Sequence, residues 1–348
     1  MKRTLMRPVG MLAGVLVVLA LWACGDSDPA STETPQQTTL IFSDLNWNTA
    51  LLQNAVARTI LEKGYGYETA SVPGTTIPLM EALIASETNV TMEFWLPSVL
   101  AIWHEAKAAG TIVQMGYSLA SPGWDSAFLI PQYTTDANPG LRSVEDLKLE
   151  EHWNLFVRPD SDGKAGLVTC VLGWECEVIN RKQVYGYGLQ EVIKLIIPST
   201  YQELNTAILS AFDKREPILF YYWGPEVVPT RLNEQYGGFY RLKEPDYSDE
   251  CWDHLAAVDE AQDVTQACSY PDRQPAIVVR SELRETAPEA VAFLEKWRLS
   301  DESIHALLAR FSETDDAYSD VAAWWLYNSD EWKSWVAEGL ADKVLAGV

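Results

Sequence analysis

From Leu40 to Gly110 the chain alternates short apolar runs with helical stripes, and that alternation restricts it to an α/β fold. Leu40–Leu45, Tyr67–Val72 and Val90–Phe94 read as buried strands. Between them, residues 49–63 carry apolar side chains at 51, 52, 55, 56, 60 and 61, a helical spacing that stops at Gly64. Residues 78–86 and 99–109 read as two further helices. Strand–helix alternation of this kind predicts a mainly parallel sheet, with ligands met in a crevice at the carboxyl ends of its strands. Trp47 and Trp95 each fall just after a predicted strand, where such a ligand would lie. Ala127–Ile130 and Ala276–Val279 are apolar runs flanked by Pro122, Pro131, Pro271 and Pro275. They are expected to be two crossovers between domains. That puts residues 40–129 plus 273–348 in a first domain and 130–272 in a second domain inserted into it. The chain from Pro288 onward reads as helical. Val321, Trp324, Trp325, Trp332 and Trp335 lie along one broad helical face there, best explained as core packing.

The chain of 348 residues has room for two such domains. It carries 26 Lys+Arg against 49 Asp+Glu, a net charge of −23. That balance excludes the basic face a nucleic-acid binder needs to neutralise phosphates, and a polybasic membrane surface. Tryptophan is over-used: 14 Trp stand against 9 Phe. A buried indole needs a partner for its N–H, so Trp is a poor general filler. The excess points to a pocket that uses aromatic faces.

Lys2, Arg3 and Arg7 precede an uncharged apolar run from Val9 to Ala23, too short to span a bilayer comfortably. Residues 1–23 are expected to be a secretory signal peptide. Leu21-Trp22-Ala23-Cys24 resembles the lipobox of bacterial lipoproteins, which implies lipidation of Cys24. The polar, Ser/Thr/Pro-rich residues to Thr39 read as a flexible tether between anchor and body. The remaining Cys170, Cys176, Cys251 and Cys268 form an even set in an exported chain, which favours disulfides. Of three possible pairings, Cys170–Cys176 with Cys251–Cys268 closes the shortest loops. Zinc is disfavoured, because there is no C-x-x-C and His104, His152, His254 and His305 show no ligand spacing. A catalytic thiol would be oxidised outside the cell.

Nucleophile-elbow, zincin, P-loop and dinucleotide-binding patterns are missing, so no cofactor is expected. Asp160-Ser-Asp-Gly163 resembles part of an EF-hand loop, but Arg158 and Thr169 would occupy its first and last ligand positions. A turn before a helix explains it better. No carboxylate pair stands out as an acid/base couple.

The segment Asp162-Gly-Lys-Ala-Gly-Leu-Val-Thr-Cys170-Val-Leu-Gly-Trp174-Glu-Cys176 resembles the ProX/OpuAC group of glycine betaine-binding proteins. Phe94-Trp95-Leu96-Pro97 and Phe220-Tyr-Tyr-Trp223-Gly-Pro225 match two more motifs in the same order. Taken singly, each Trp is equally well explained by core packing; three in matching motifs are not. The resemblance implies a two-domain, type II periplasmic-binding-protein fold with its ligand cleft between the domains. It implies that Trp95, Trp174 and Trp223 box a trimethylammonium group. Such a group has no N–H to donate, and aromatic faces attract it at ~0.5–2 kcal/mol per desolvated contact. Three faces plus methyl burial approach the ~8 kcal/mol of micromolar binding. The resemblance further implies that the solute's carboxylate meets the backbone N–H groups of Glu175 and Cys176, at the start of a predicted helix that runs to Tyr185. Trp47, Trp124 and Tyr117 are candidates for further walls. One departure is visible: the motif has a His four residues after the first box Trp, where this chain has Val99. The implied partners are a quaternary ammonium solute, an ABC permease with its ATPase, and the membrane through the lipid anchor. Choline, trimethylamine oxide and dimethylsulfoniopropionate are the alternative solutes. A secreted carbohydrate-active hydrolase is the alternative of a different class, and it requires two carboxylates ~5–9.5 Å apart beside the Trp cluster.

Overall fold

The structure, a computed structural model, describes residues 38–121 and 126–348. The expected leader, Cys24, most of the expected tether and Trp124 lie outside the described residues. Thr38 and Thr39 already belong to the body. The Thr38 hydroxyl donates to the Thr286 carbonyl, and the Thr39 carbonyl accepts from Asn89.

Ten strands occur among the described residues: β1 Leu40–Leu45, β2 Thr69–Gly74, β3 Val90–Leu96, β4 Ile112–Tyr117, β5 Ser126–Pro131, β6 Ala165–Val168, β7 Ile193–Ile196, β8 Leu219–Trp223, β9 Phe239–Arg241 and β10 Gln274–Arg280. They form two five-stranded sheets, β2-β1-β3-β10-β4 and β7-β6-β8-β5-β9. Each sheet centres one lobe. The sheets are mixed rather than mainly parallel. β1 runs parallel to β2 and β3, and β6 parallel to β7 and β8, while β10 and β5 run antiparallel to both of their neighbours. The antiparallel strands are the first ones made after each passage between lobes.

That topology moves one expected boundary. Ser126–Pro131 pairs along its length with β8 and β9, so residues 126–129 stand in the second sheet, not the first. The first passage lies between β4 and β5, and the second between β9 and β10. Ala127–Ile130 and Ala276–Val279, expected as crossovers, are instead strand segments inside the second and first sheets, because an apolar run flanked by prolines carries no mark of the sheet it joins.

Alternation fixes the faces of the first sheet. Leu40, Phe42, Ile277 and Val279 point to one face, packed on residues 48–60 and the C-terminal helices, while Ala276 and Val278 point to the other. Helix Tyr318–Asn328 ends before Trp332, so the five residues from Val321 to Trp335 do not share a helical face as expected. Trp325, Trp332 and Trp335 are nonetheless core, and Trp297 packs against Trp335 with ring centres 4.7 Å apart and planes tilted by 39°. The turn at 160–163 leads into β6, not into a helix. Among the described residues no helix is long and apolar enough to cross a membrane.

Candidate functional site

Four tryptophans stand at the carboxyl ends of parallel strands. Trp47 follows β1, Trp95 is next to last in β3, Trp174 follows β6, and Trp223 ends β8. The two lobes turn these strand ends towards each other, and all four rings line one cavity with about 430 Å³ of empty space, its opening included. Trp174 meets Trp47 edge to face, with centroids 5.3 Å apart at 77°. It meets Trp223 the same way, at 5.1 Å and 88°. Edge-to-face packing leaves ring faces turned to the space between. Tyr221 lines the cavity with Trp223 because residues two apart on β8 share a face.

Trp174 is placed by a tight loop between β6 and the helix Glu175–Gly186. The Cys170–Cys176 disulfide closes this loop; the second bridge joins Cys251 and Cys268. Gly173 has φ +89°, and a Cβ there would lie 2.4 Å from the Thr75 hydroxyl oxygen of the other lobe. Only glycine lets the loop come so close. The Gly173 carbonyl then accepts from the Ile77 N–H at 3.0 Å. The Trp174 indole donates across the same gap to the Asn46 side-chain oxygen at 2.6 Å. These bonds hold the lobes closed around the cavity.

The first backbone N–H groups of the helix, those of Glu175 and Cys176, have no carbonyl one turn back to bind. Both residues line the cavity. The Glu175 side chain turns to the other lobe, where it accepts from the Ser98 hydroxyl at 2.6 Å and the Val99 N–H at 2.7 Å. Its second oxygen is ion-paired with Arg273, which precedes β10 and also donates to the Trp95 carbonyl at 2.7 Å. Glu175 is the only carboxylate in the cavity lining among the described residues. A second carboxylate, as sugar hydrolysis requires, is not part of this lining.

Two buried acids support the walls. Glu93 accepts from the Trp47 indole at 2.6 Å and from the Gln53 amide. Burial pushes its carboxyl up to about 7 against the pull of those donors. Glu226 accepts from Tyr201 at 2.8 Å in its own lobe and from Asn48 and the Thr49 N–H of the other, and burial raises its carboxyl as well.

The structure brings together Trp95, Trp174, Trp223, Glu175, Cys176 and Trp47. It places Tyr117 elsewhere, in a separate surface pocket with His104 and Lys107, because β4 is the far edge of the first sheet. Val99 is buried and offers the site only its N–H. Arg273, Ser126 and Thr76 were missed by sequence reasoning, since no motif marks them. Tyr221 was missed as well, although the period of two it shares with Trp223 is a signal that could have found it.

Residues 38–328 match the OpuAC family, the substrate-binding domain of ABC-type glycine betaine transport systems. The chain belongs to this family. One relative is the glycine betaine/proline betaine-binding periplasmic protein of Salmonella typhimurium, 29% identical over 103 residues. That match spans 30% of this chain and 30% of the relative's length. Among solved structures, the fold resembles the glycine/betaine/L-proline-binding protein ProX of Borrelia burgdorferi, with a TM-score of 0.67 and 17% identity over 88% of this chain and all of that one. It also resembles an ABC-transporter choline-binding protein in complex with choline, with a TM-score of 0.67 and 18% identity over 88% of this chain and 97% of that one. OpuAC membership and these structures fit the α/β, two-lobed, type II periplasmic-binding-protein fold expected from the sequence.

Proposed function

We propose that the chain is the extracytoplasmic solute-binding receptor of an ABC importer, and that it closes on glycine betaine or a closely related quaternary ammonium solute. The observation that carries this is the convergence of Trp47, Trp95, Trp174 and Trp223 on one cavity beside the free N–H groups of Glu175 and Cys176. The rings take the trimethylammonium group, which binds by cation–π attraction and methyl burial. The helix start takes the carboxylate, through aligned N–H groups and the positive end of the helix dipole. Trp47 therefore acts as a fourth wall beside the three in the motifs.

Closure is part of binding. Trp47 and Trp95 belong to one lobe, Trp174 and Trp223 to the other, so the cage is complete only when the lobes meet. The cross-lobe bonds of Asn46, Ile77, Ser98 and Val99 stabilise that state. A closed receptor is then a distinct surface for a permease to recognise. A lipid on Cys24 and a tether to Thr38 would hold the body beside that permease. Choline fits the aromatic end but gives the helix start no charge to meet, so it ranks below glycine betaine.

A thermal-shift screen of compatible solutes tests the proposal. Glycine betaine should raise the unfolding temperature more than choline, and sugars should not raise it. A shift with oligosaccharides and none with quaternary ammonium compounds would overturn it.

A further inference from the structure

Arg273 is the one cationic side chain in the cavity lining among the described residues, and only 3% of it is exposed. The guanidinium carries five N–H donors in a rigid planar fork and stays charged at any working pH. Its hydrogen bonds use one nitrogen: Nη2 donates to the Trp95 carbonyl and to Glu175, while the guanidinium lies 6.0 Å from the centre of the Tyr270 ring. Its Nε is buried with no hydrogen-bond partner. The ion pair with Glu175 accounts for the charge, but the buried Nε donor is left without an acceptor, a cost that an acceptor entering the cavity would remove. The cavity wall beside it holds the N–H groups of Glu175 and Cys176, also without acceptors of their own. Val99, where a side-chain donor would be expected from the family motif, supplies none; its N–H is committed to Glu175.

We propose that Arg273 is the specificity-determining residue for the anionic end of the solute, its free donors joining the helix start to clamp a carboxylate. This rests on the reading of the cavity as a quaternary-ammonium site and narrows the solute to a zwitterion. Arg273 and Glu175 together are neutral, so a zwitterion enters a closed, dry cavity without leaving a net charge in it. A simple cation such as choline leaves one. Glu175 positions the clamp: Ser98 and Val99 fix its carboxylate, which in turn fixes the guanidinium plane.

The test is calorimetry with glycine betaine and choline on the wild-type protein, Arg273→Lys, and the double variant Arg273→Met with Glu175→Gln. The double variant removes both charges together, so neither is left buried alone. Thermal unfolding without ligand confirms that each variant is folded. The double variant also loses cross-lobe bonds, which weakens closure on either ligand alike, so the reading is the difference: glycine betaine should lose at least tenfold more affinity than choline does. Arg273→Lys, which keeps the charge but loses the fork, should lose about five- to tenfold on glycine betaine alone. Equal losses on both ligands, or full retention of glycine betaine binding, would overturn the role of Arg273 and leave the cavity assignment standing. A wild-type protein that binds neither ligand would overturn both.

Discussion

Replacing Trp174 separates recognition from closure. Two contacts of its indole join the closed lobes, the edge contact with Trp47 and the bond to Asn46, and on the proposed reading a third, its ring face, meets the ammonium. A desolvated cation–π face contributes ~0.5–2 kcal/mol. An aromatic pair adds ~0.5–1.5 kcal/mol, and a neutral hydrogen bond ~0.5–1.5 kcal/mol. Mid-range values total about 3 kcal/mol, which at ~1.4 kcal/mol per decade is on the order of 100-fold in affinity. Trp174→Ala should therefore raise the Kd for glycine betaine about 100-fold. Trp174→Phe keeps a face and an edge but loses the bond to Asn46, so it should cost about 1 kcal/mol, or ~5-fold. Calorimetry on the two variants, with unliganded unfolding as a control for folding, reads the difference. An alanine variant that binds within threefold of wild type would refute the box. A phenylalanine variant as weak as the alanine one would shift the weight from ring face to interlobe bond.

Gly173→Ala should weaken binding at least tenfold, because the new methyl carbon meets the Thr75 hydroxyl at 2.4 Å and resists closure. Adding Thr75→Ala should restore part of the affinity, and calorimetry that found no such rescue would place the strain in the backbone instead. Glu93 titrates near 4.5 when unfolded and about 7 when folded, so the folded state holds the extra proton between those values. Stability from this group is then greatest below pH ~4.5, falls as pH rises to about 7, and is level above it. Glu93→Gln should remove that slope and be more stable than wild type at pH 8 by on the order of 3 kcal/mol, the shift converted at ~1.36 kcal/mol per pH unit. The buried, unpartnered Gln53 Oε1 supplies an acceptor for the new amide once the Gln53 amide turns over. Denaturant titrations across pH 4–8 check it; an unchanged slope would clear Glu93 of any part in it. The paired changes Cys170→Ser and Cys176→Ser should weaken binding about tenfold by loosening the Trp174 loop. Cys251→Ser with Cys268→Ser should lower stability by ~2–3 kcal/mol with little effect on Kd.

β6 and β8, which lead to Trp174 and Trp223, were not read as strands from the sequence, while β1, β2 and β3 were legible because each is a short apolar run ended by Pro, Gly or a helix start. So were Trp95, Trp174 and Trp223, since each sits in a motif beside a strand end. The two disulfides were legible because short spacings make local pairing cheap in loop entropy. Arg273 was not. Its partner Glu175 is 98 residues away in sequence, and only the fold brings them together. Glu93 looked like the polar member of a strand, and its burial depends on a helix that presents Gln53 and Trp47 to it. The helix at residues 48–60 has a buried polar side with Asn48, Gln53 and Asn54 that its apolar stripe does not reveal, because those residues pair across the sheet and across the cleft. The reading of Ala127–Ile130 as a crossover failed for the opposite reason: its hydrophobicity is uniform, so it carries no mark that it completes the second sheet.

The central claim is that this cavity recognises a methylated ammonium and a carboxylate on one small molecule. Calorimetric titration of the purified protein with glycine betaine, and separately with unmethylated glycine, tests it most directly. Both ligands carry the same carboxylate, so the comparison isolates what the tryptophans do. Glycine betaine should bind with a Kd on the order of micromolar, and glycine should give no measurable heat, because its ammonium would lose its water and find only ring faces in exchange. Glycine binding as tightly as glycine betaine, or no heat from either, would contradict the account.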